Sequence, residues 1–248
     1  MGLLDRGSQW PLRRLDTPVG VLAHRGGAGP DPENSLAAFA RALDSGADGV
    51  ELDVRLSADG VPVLHHDPRL PDGRAVAEVP ASALPAEVPT LEQALSACAG
   101  AAVDVEIKNS PGEPGHDPAE ALAGLVAELL RDALGTSGGP AAAVVSSFWP
   151  ATVAAVRAAG DVPTGLLVHP ALDPMACLDQ AEEMGCTTLL PFVAQLTPAL
   201  ADAVHGRGLA LVTWTVNDEP GLRAALDAGV DAVVTDHVAL ALGVLGRR

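Results

Sequence analysis

Eight short apolar runs alternate with eight Ala-rich segments of helical period, and this alternation limits the fold more than any other property of the chain. The runs fall at 19–24, 49–55, 101–108, 142–147, 164–168, 187–191, 209–214 and 231–235. The helical segments fall at 34–45, 90–98, 117–134, 150–159, 174–184, 197–206, 219–228 and 237–246. Asp117-Pro118 offers a cap followed by proline, and Asn34-Ser35 precedes an apolar period. Gly46, Gly160, Gly185 and Gly229 stand where helices should stop. Eight strand–helix units in 248 residues predict an α/β chain closed as a (β/α)₈ TIM barrel. It is read as a single domain over 1–248, with 1–17 as an N-terminal extension. An open doubly wound sheet is the rival, but no G-x-G-x-x-G follows the first run. A further run, "VPVLHH" at 61–66, lies four residues beyond the second strand, too close for a crossover helix. Asp59-Gly60 predicts a hairpin that adds this run as an extra strand beside the second.

Two of the runs carry acids in register. In "VELDVR" (50–55), Val50, Leu52 and Val54 point one way while Glu51, Asp53 and Arg55 point the other. In "VDVEIK" (103–108), Val103, Val105 and Ile107 alternate in the same manner with Asp104, Glu106 and Lys108. Functional groups of such a barrel gather at the C-terminal ends of its strands. That rim would collect His24 and Arg25 from "AHRG", Glu51 and Asp53, Glu106 and Lys108, and His65, His66 and Asp67 from "HHD". Carboxylates brought together in a partly dry site repel, and desolvation adds several kcal/mol per ion, about the size that only a counter-charge offsets. Oxygen ligands suit a hard cation such as Mg²⁺ or Ca²⁺, with Mn²⁺ an alternative, rather than zinc. The bland reading is that Glu51 and Asp53 make salt bridges to Arg55 or Lys108. Lys108 is the only lysine against fourteen arginines, so a compact ammonium is wanted there. Only one of the adjacent His65 and His66 can face the site; His116, His169, His205 and His237 have no comparable company and are read as structural.

Composition serves mainly to exclude. A formal charge of −17 argues against a nucleic-acid or anionic-membrane surface. Cys98, Cys177 and Cys186 have no metal spacing and read as buried, reduced side chains. The N-terminus lacks a signal-like apolar stretch and no run approaches a membrane span, so a soluble cytoplasmic protein is the expectation, its oligomeric state open.

The segment "HRGGAGPDPENSLAAFARALDSGADGVELDVRLSADGVPVLHHD" resembles the glycerophosphodiester phosphodiesterase family, as do "PTLEQAL", "VEIKN", "SSF", "WTVND" and "GVDAVVTD", in order along the chain. The resemblance implies a TIM barrel that hydrolyses a small-molecule glycerophosphodiester to glycerol 3-phosphate and an alcohol with a divalent metal. It implies Glu51, Asp53 and Glu106 as metal ligands and His24 and His66 as the acid–base pair. It also implies Arg25 and Lys108 on the phosphate oxygens, and Trp214 as an apolar wall beside the glycerol. Two departures stand out: only about twenty residues (68–89) fill the place where larger members insert a small domain, and "TDHV" replaces a closing motif that often ends in proline. Action on lysophospholipids, and a catalytically silent phosphodiester-binding barrel, are the competing readings.

Overall fold

The computed structural model describes residues 19–247. Its strands are β1 (Gly20–His24), β2 (Gly49–Leu56), β3 (Pro62–Leu64), β4 (Ala102–Ile107), β5 (Ala142–Ser147), β6 (Thr164–Val168), β7 (Thr188–Pro191), β8 (Ala210–Thr213) and β9 (Ala232–Thr235). Its α-helices are α1 (Leu36–Asp44), α2 (Leu91–Ala97), α3 (Ala121–Ala133), α4 (Pro150–Ala159), α5 (Pro174–Glu183), α6 (Pro198–Gly206), α7 (Glu219–Ala228) and α8 (Val238–Val244). All strands but β3 run parallel in a ring that closes where β1 pairs with both β2 and β9. This is the (β/α)₈ barrel expected from the alternation. The extension expected at 1–17 lies outside the described residues.

The two faces of each strand do different work. Val50, Leu52, Val103 and Val105 point outward into the main core beneath the helices. Leu22, Ala102, Leu167, Leu190, Ala210, Val212, Ala232 and Val234 form a second, smaller core within the ring. Small residues let the barrel wall close at the N-terminal end. A Cβ on Gly49 would lie 2.2 Å from the Ala102 carbonyl oxygen, and one on Gly165 would lie 2.4 Å from Leu190 Cδ1. Because side chains alternate, the acids of β2 and β4 must then point into the barrel interior above this filled layer.

β3 pairs antiparallel with the end of β2, Val54 opposite Leu64 and Leu56 opposite Pro62, as the hairpin reading predicts. It is shorter than the run suggested: pairing stops at Leu64, and His65 and His66 follow outside the strand. Residues 68–89 contain two short 3₁₀ turns and a small core of their own, in which Leu70, Val76 and Val79 pack on Val63. Two start signals work differently from their sequence reading. Ser35 alone caps α1, accepting from the Ala38 N–H, while Asn34 is engaged elsewhere. Asp117 accepts the N–H groups of Ala119 and Ala121, but Glu120 at φ 55 breaks the helical path, so α3 begins at Ala121 rather than 117. Gly229 ends α7 in the left-handed region at φ 84, whereas Gly160 after α4 is extended.

Candidate active site

Strand register assembles the site. β1 and β2 pair with His24 beside Glu51, and β2 and β4 pair with Asp53 beside Glu106. Each inward-facing acid is therefore set next to its neighbour by backbone hydrogen bonding rather than by loop conformation. Carboxylate oxygens of Glu51, Asp53 and Glu106 all lie within 4.8 Å of one another, with all three residues buried. Glu51 and Glu106 line a cavity of ≈ 280 Å³ together with His24, Arg25, His66, Asp104, Lys108, Ser146, Phe148, Trp214 and neighbouring apolar groups. Of the expected metal, acid–base and substrate residues, only Asp53 does not line this cavity; its side chain is fully buried, at 0% exposure.

The cations are shared unequally. Lys108 Nζ contacts Glu106 Oε1 and lies 3.0 Å from Asp53 Oδ1, and Arg25 Nε lies 3.0 Å from Asp53 Oδ2. Asn34 also donates to Asp53 Oδ2 at 2.8 Å, and its own Oδ1 accepts the Asp53 N–H. Burial works against charge on Asp53, but Lys108 and Arg25 outweigh it and hold its carboxyl below the usual range. Glu51 has no such cation. Its Oε2 accepts the Arg25 backbone N–H at 3.1 Å and stands 3.9 Å from His24 Nε2, while its Oε1 is buried with no hydrogen-bond partner. Burial, then Asp53 and Glu106, push Glu51 well above the ordinary carboxylate value. Burial likewise raises Glu106, and it raises Asp104 to about 7. The bland salt-bridge reading thus holds for Asp53 with Lys108 but not for Glu51, nor for Arg55, which turns away to Glu113 and the His66 carbonyl. The orphaned Glu51 oxygen amid converging carboxylates is what a divalent oxygen-binding cation would satisfy, so the residues fit one.

Both histidines at the cavity are held through Nδ1. His24 Nδ1 lies 2.7 Å from Asp236 Oδ1, and Asn217 Nδ2 donates to the other Asp236 oxygen at 2.5 Å. His66 Nδ1 lies 2.8 Å from Asp67 Oδ1. Burial lowers the His66 imidazole below its ordinary value, against the pull of Asp53. Its neighbour His65 contacts the Asp67 carbonyl instead and faces a second, outer cavity of ≈ 640 Å³ that His66 also borders. Trp214 donates its indole N–H to the Leu190 carbonyl at 2.8 Å and meets Phe148 edge-on at 5.4 Å, making one apolar wall of the inner cavity.

Asp236, Asn34, Asp104, Ser146 and Phe148 were not singled out by sequence reasoning, yet each touches the cavity or a residue that lines it, and Asn217, also not singled out, holds Asp236. Asp236 is 212 positions from His24 and arrives only because β9 closes against β1, with Ala23 opposite Thr235. Asn34 carried a signal, but it read as a helix start.

Comparisons with known proteins bear on this constellation. The model of the glycerophosphoryl diester phosphodiesterase family matches residues 24–240. A glycerophosphodiester phosphodiesterase of Caldanaerobacter subterraneus subsp. tengcongensis is 29% identical over 242 residues, covering 87% of this chain and 93% of that protein. An Oleispira antarctica phosphodiesterase, solved in complex with the product sn-glycerol-3-phosphate, superimposes with TM-score 0.81 at 25% identity, covering 92% of this chain and 96% of that one. The glycerophosphodiester phosphodiesterase of Thermotoga maritima shares the fold, with TM-score 0.74 at 24% identity over 92% of this chain and 98% of its own.

Proposed function

We propose, because the chain belongs to the glycerophosphoryl diester phosphodiesterase family, that the inner cavity cleaves a glycerophosphodiester to glycerol 3-phosphate and an alcohol. Glu51, Asp53 and Glu106 would hold one divalent cation, Mg²⁺ or Ca²⁺ with Mn²⁺ an alternative. When bound, such an ion polarises the phosphoryl oxygens and favours the alkoxide form of a nearby hydroxyl. The observation that carries this reading is the buried, partnerless Oε1 of Glu51 within the carboxylate cluster.

The protein's own groups account for the rest. Arg25 and Lys108 border the cavity and supply the positive charge that a phosphodiester anion needs in a chain of net charge −17. Their pairing with Asp53 fixes where that charge sits. His24 and His66 present Nε2 because aspartates occupy their Nδ1 atoms. The neighbouring hydroxyl of the glycerol attacks phosphorus, forming one P–O bond as the bond to the leaving alcohol breaks. One imidazole takes the hydroxyl proton while the other delivers a proton to the departing alkoxide. Water then opens the resulting cyclic phosphate with the two roles exchanged, so both histidines return to their starting states. Proton transfer by positioned groups contributes about 10²–10⁴-fold in rate. Trp214 and Phe148 wall the glycerol side.

The test is product analysis on a panel of glycerophosphodiesters, lysophospholipids included, with Mg²⁺, Ca²⁺ and Mn²⁺ each supplied. Release of glycerol 3-phosphate that depends on metal and disappears in Glu106→Gln and His66→Ala is expected. Full turnover in either variant removes the site assignment, and ligand binding without turnover under every metal favours a silent barrel.

A further inference from the structure

Asp104 is the one acid of the β2–β4 pair that the mechanism above leaves unused. It is 2% exposed, it lines the inner cavity, and its Oδ1 is buried with no hydrogen-bond partner. A carboxylate kept in that condition loses the hydration it had in the unfolded chain without regaining a donor. Lys108 and Arg25 are committed one layer higher, on Asp53 and Glu106. Asp104 sits two residues before Glu106 on the same inward face, about 6.6 Å back along the strand from a rise of ~3.3 Å per residue, and is level with Glu51 in the sheet register. Beside it the Ser146 hydroxyl, 1% exposed, also lines the cavity; it lies close enough to favour a charged Asp104 but makes no well-formed hydrogen bond among the described residues. Around these two polar groups the lining is apolar: Leu167, Leu190 and Val234.

We propose that Asp104 and Ser146 form the floor of the substrate site and receive the terminal hydroxyl of the glycerol moiety, the one remote from the phosphate. This rests on the glycerophosphodiesterase reading and extends it by naming what selects the glycerol. A glycerol whose phosphate lies beside Glu106 and Lys108 extends its far carbon by about the distance along β4 that separates Glu106 from Asp104. The cavity, at ≈ 280 Å³, is small and closed below by the packed interior layer, so the far hydroxyl has no water to turn to. Its O–H donates to Asp104 Oδ1, and the Ser146 hydroxyl donates to or accepts from its oxygen. An analogue with a methyl group in that place leaves the buried carboxyl group unsatisfied, a penalty of about 10- to 100-fold.

The experiment compares two phosphate monoesters, sn-glycerol 3-phosphate and propane-1,2-diol 1-phosphate, which differ only in the terminal hydroxyl. Binding of each to the Mg²⁺-loaded protein is measured by calorimetry, and kcat/KM is measured for the matching choline diesters. Wild type is expected to favour the glycerol compound by at least 10-fold in both readouts. In Asp104→Ala that ratio falls to within about 3-fold, and in Ser146→Ala, which removes one oxygen, it falls part of the way. Using a ratio within each variant cancels any change in metal affinity or general stability. A ratio that stays at the wild-type value in both variants overturns the proposal, as does a wild type that binds the two monoesters equally. A wild type that hydrolyses neither diester and binds neither monoester removes the functional reading itself.

Discussion

Neutralising Glu51 should stabilise the metal-free protein, whereas neutralising Asp53, on the same strand face, should destabilise it. Glu51 is 4% exposed, has an orphaned oxygen, and faces three other acids with no ion pair to a lysine or arginine among the described residues. An unsatisfied buried group of this kind costs about 1–3 kcal/mol. Gln in its place keeps the shape, retains the acceptor for the Arg25 N–H, and offers its amide hydrogens to the neighbouring carboxylates. For a domain of this size ~1 kcal/mol moves Tm by about 2–4 °C, so Glu51→Gln is expected to raise the Tm in EDTA by roughly 2–12 °C. Asp53→Asn breaks ion pairs at 3.0 Å with both Lys108 and Arg25 and leaves their charges in place. Breaking a buried pair from one side costs about 3–5 kcal/mol, which lowers Tm by roughly 6–20 °C. The pH dependence has a definite sign. The folded-state Glu51 is raised above its unfolded value, so it carries no penalty where both states are protonated, and the penalty grows as pH rises through the folded-state titration. The advantage of Glu51→Gln should therefore be near zero at about pH 4 and increase toward neutral pH. Divalent metal should reverse the order, since wild type gains about 2.7 kcal/mol at a hundredfold excess over Kd and the variant gains far less. Scanning calorimetry of both variants in EDTA and in Mg²⁺ makes the comparison. A Glu51→Gln protein that loses stability alongside Asp53→Asn would refute the electrostatic reasoning.

Three further outcomes follow from the geometry. Asp236→Asn removes the carboxylate on His24 Nδ1, and kcat should fall by at least about 10²-fold with Tm and KM little changed, because Asp236 sits at the rim; a drop in Tm with kcat preserved would assign it a purely structural role. Trp214→Ala strips the wall shared with Phe148 and Phe192 and should raise KM more than it lowers kcat, at a stability cost of about 3 kcal/mol, readable from steady-state kinetics and urea melts. Cys98, fully buried and pushed up to about 12 by that burial, should resist a thiol reagent such as DTNB in the native state and react only on unfolding.

Much of this site could be read from the chain because strand alternation is local. "VELDVR" and "VDVEIK" declare by their period of two that Glu51, Asp53, Glu106 and Lys108 share faces, and eight repeats declare a ring that turns those faces toward one another. Residues whose role depends on closure were harder to see. Asp236 reaches His24 only across the β1–β9 seam. Asn34 looked like a cap because Asn before Ser-Leu-Ala-Ala is a helix-start pattern, yet its side chain serves Asp53 while Ser35 does the capping. Asp104 was visible in the alternation, but nothing local distinguishes an acid of the candidate metal cluster from one that stands beside it, as Asp104 does beside Glu51. The 3₁₀ turns of residues 68–89 carry no periodicity and pack on only a few apolar side chains, so the pattern there had nothing to report.

The central claim is that oxygens of Glu51, Asp53 and Glu106 close on one divalent cation inside the barrel mouth. Crystals soaked in Mn²⁺ and measured at a wavelength where manganese scatters anomalously would address it directly. A single strong peak bonded to all three carboxylates is predicted, together with loss of that peak in Glu106→Gln. No peak there, with Lys108 still bridging Asp53 and Glu106 at saturating metal, would contradict the account.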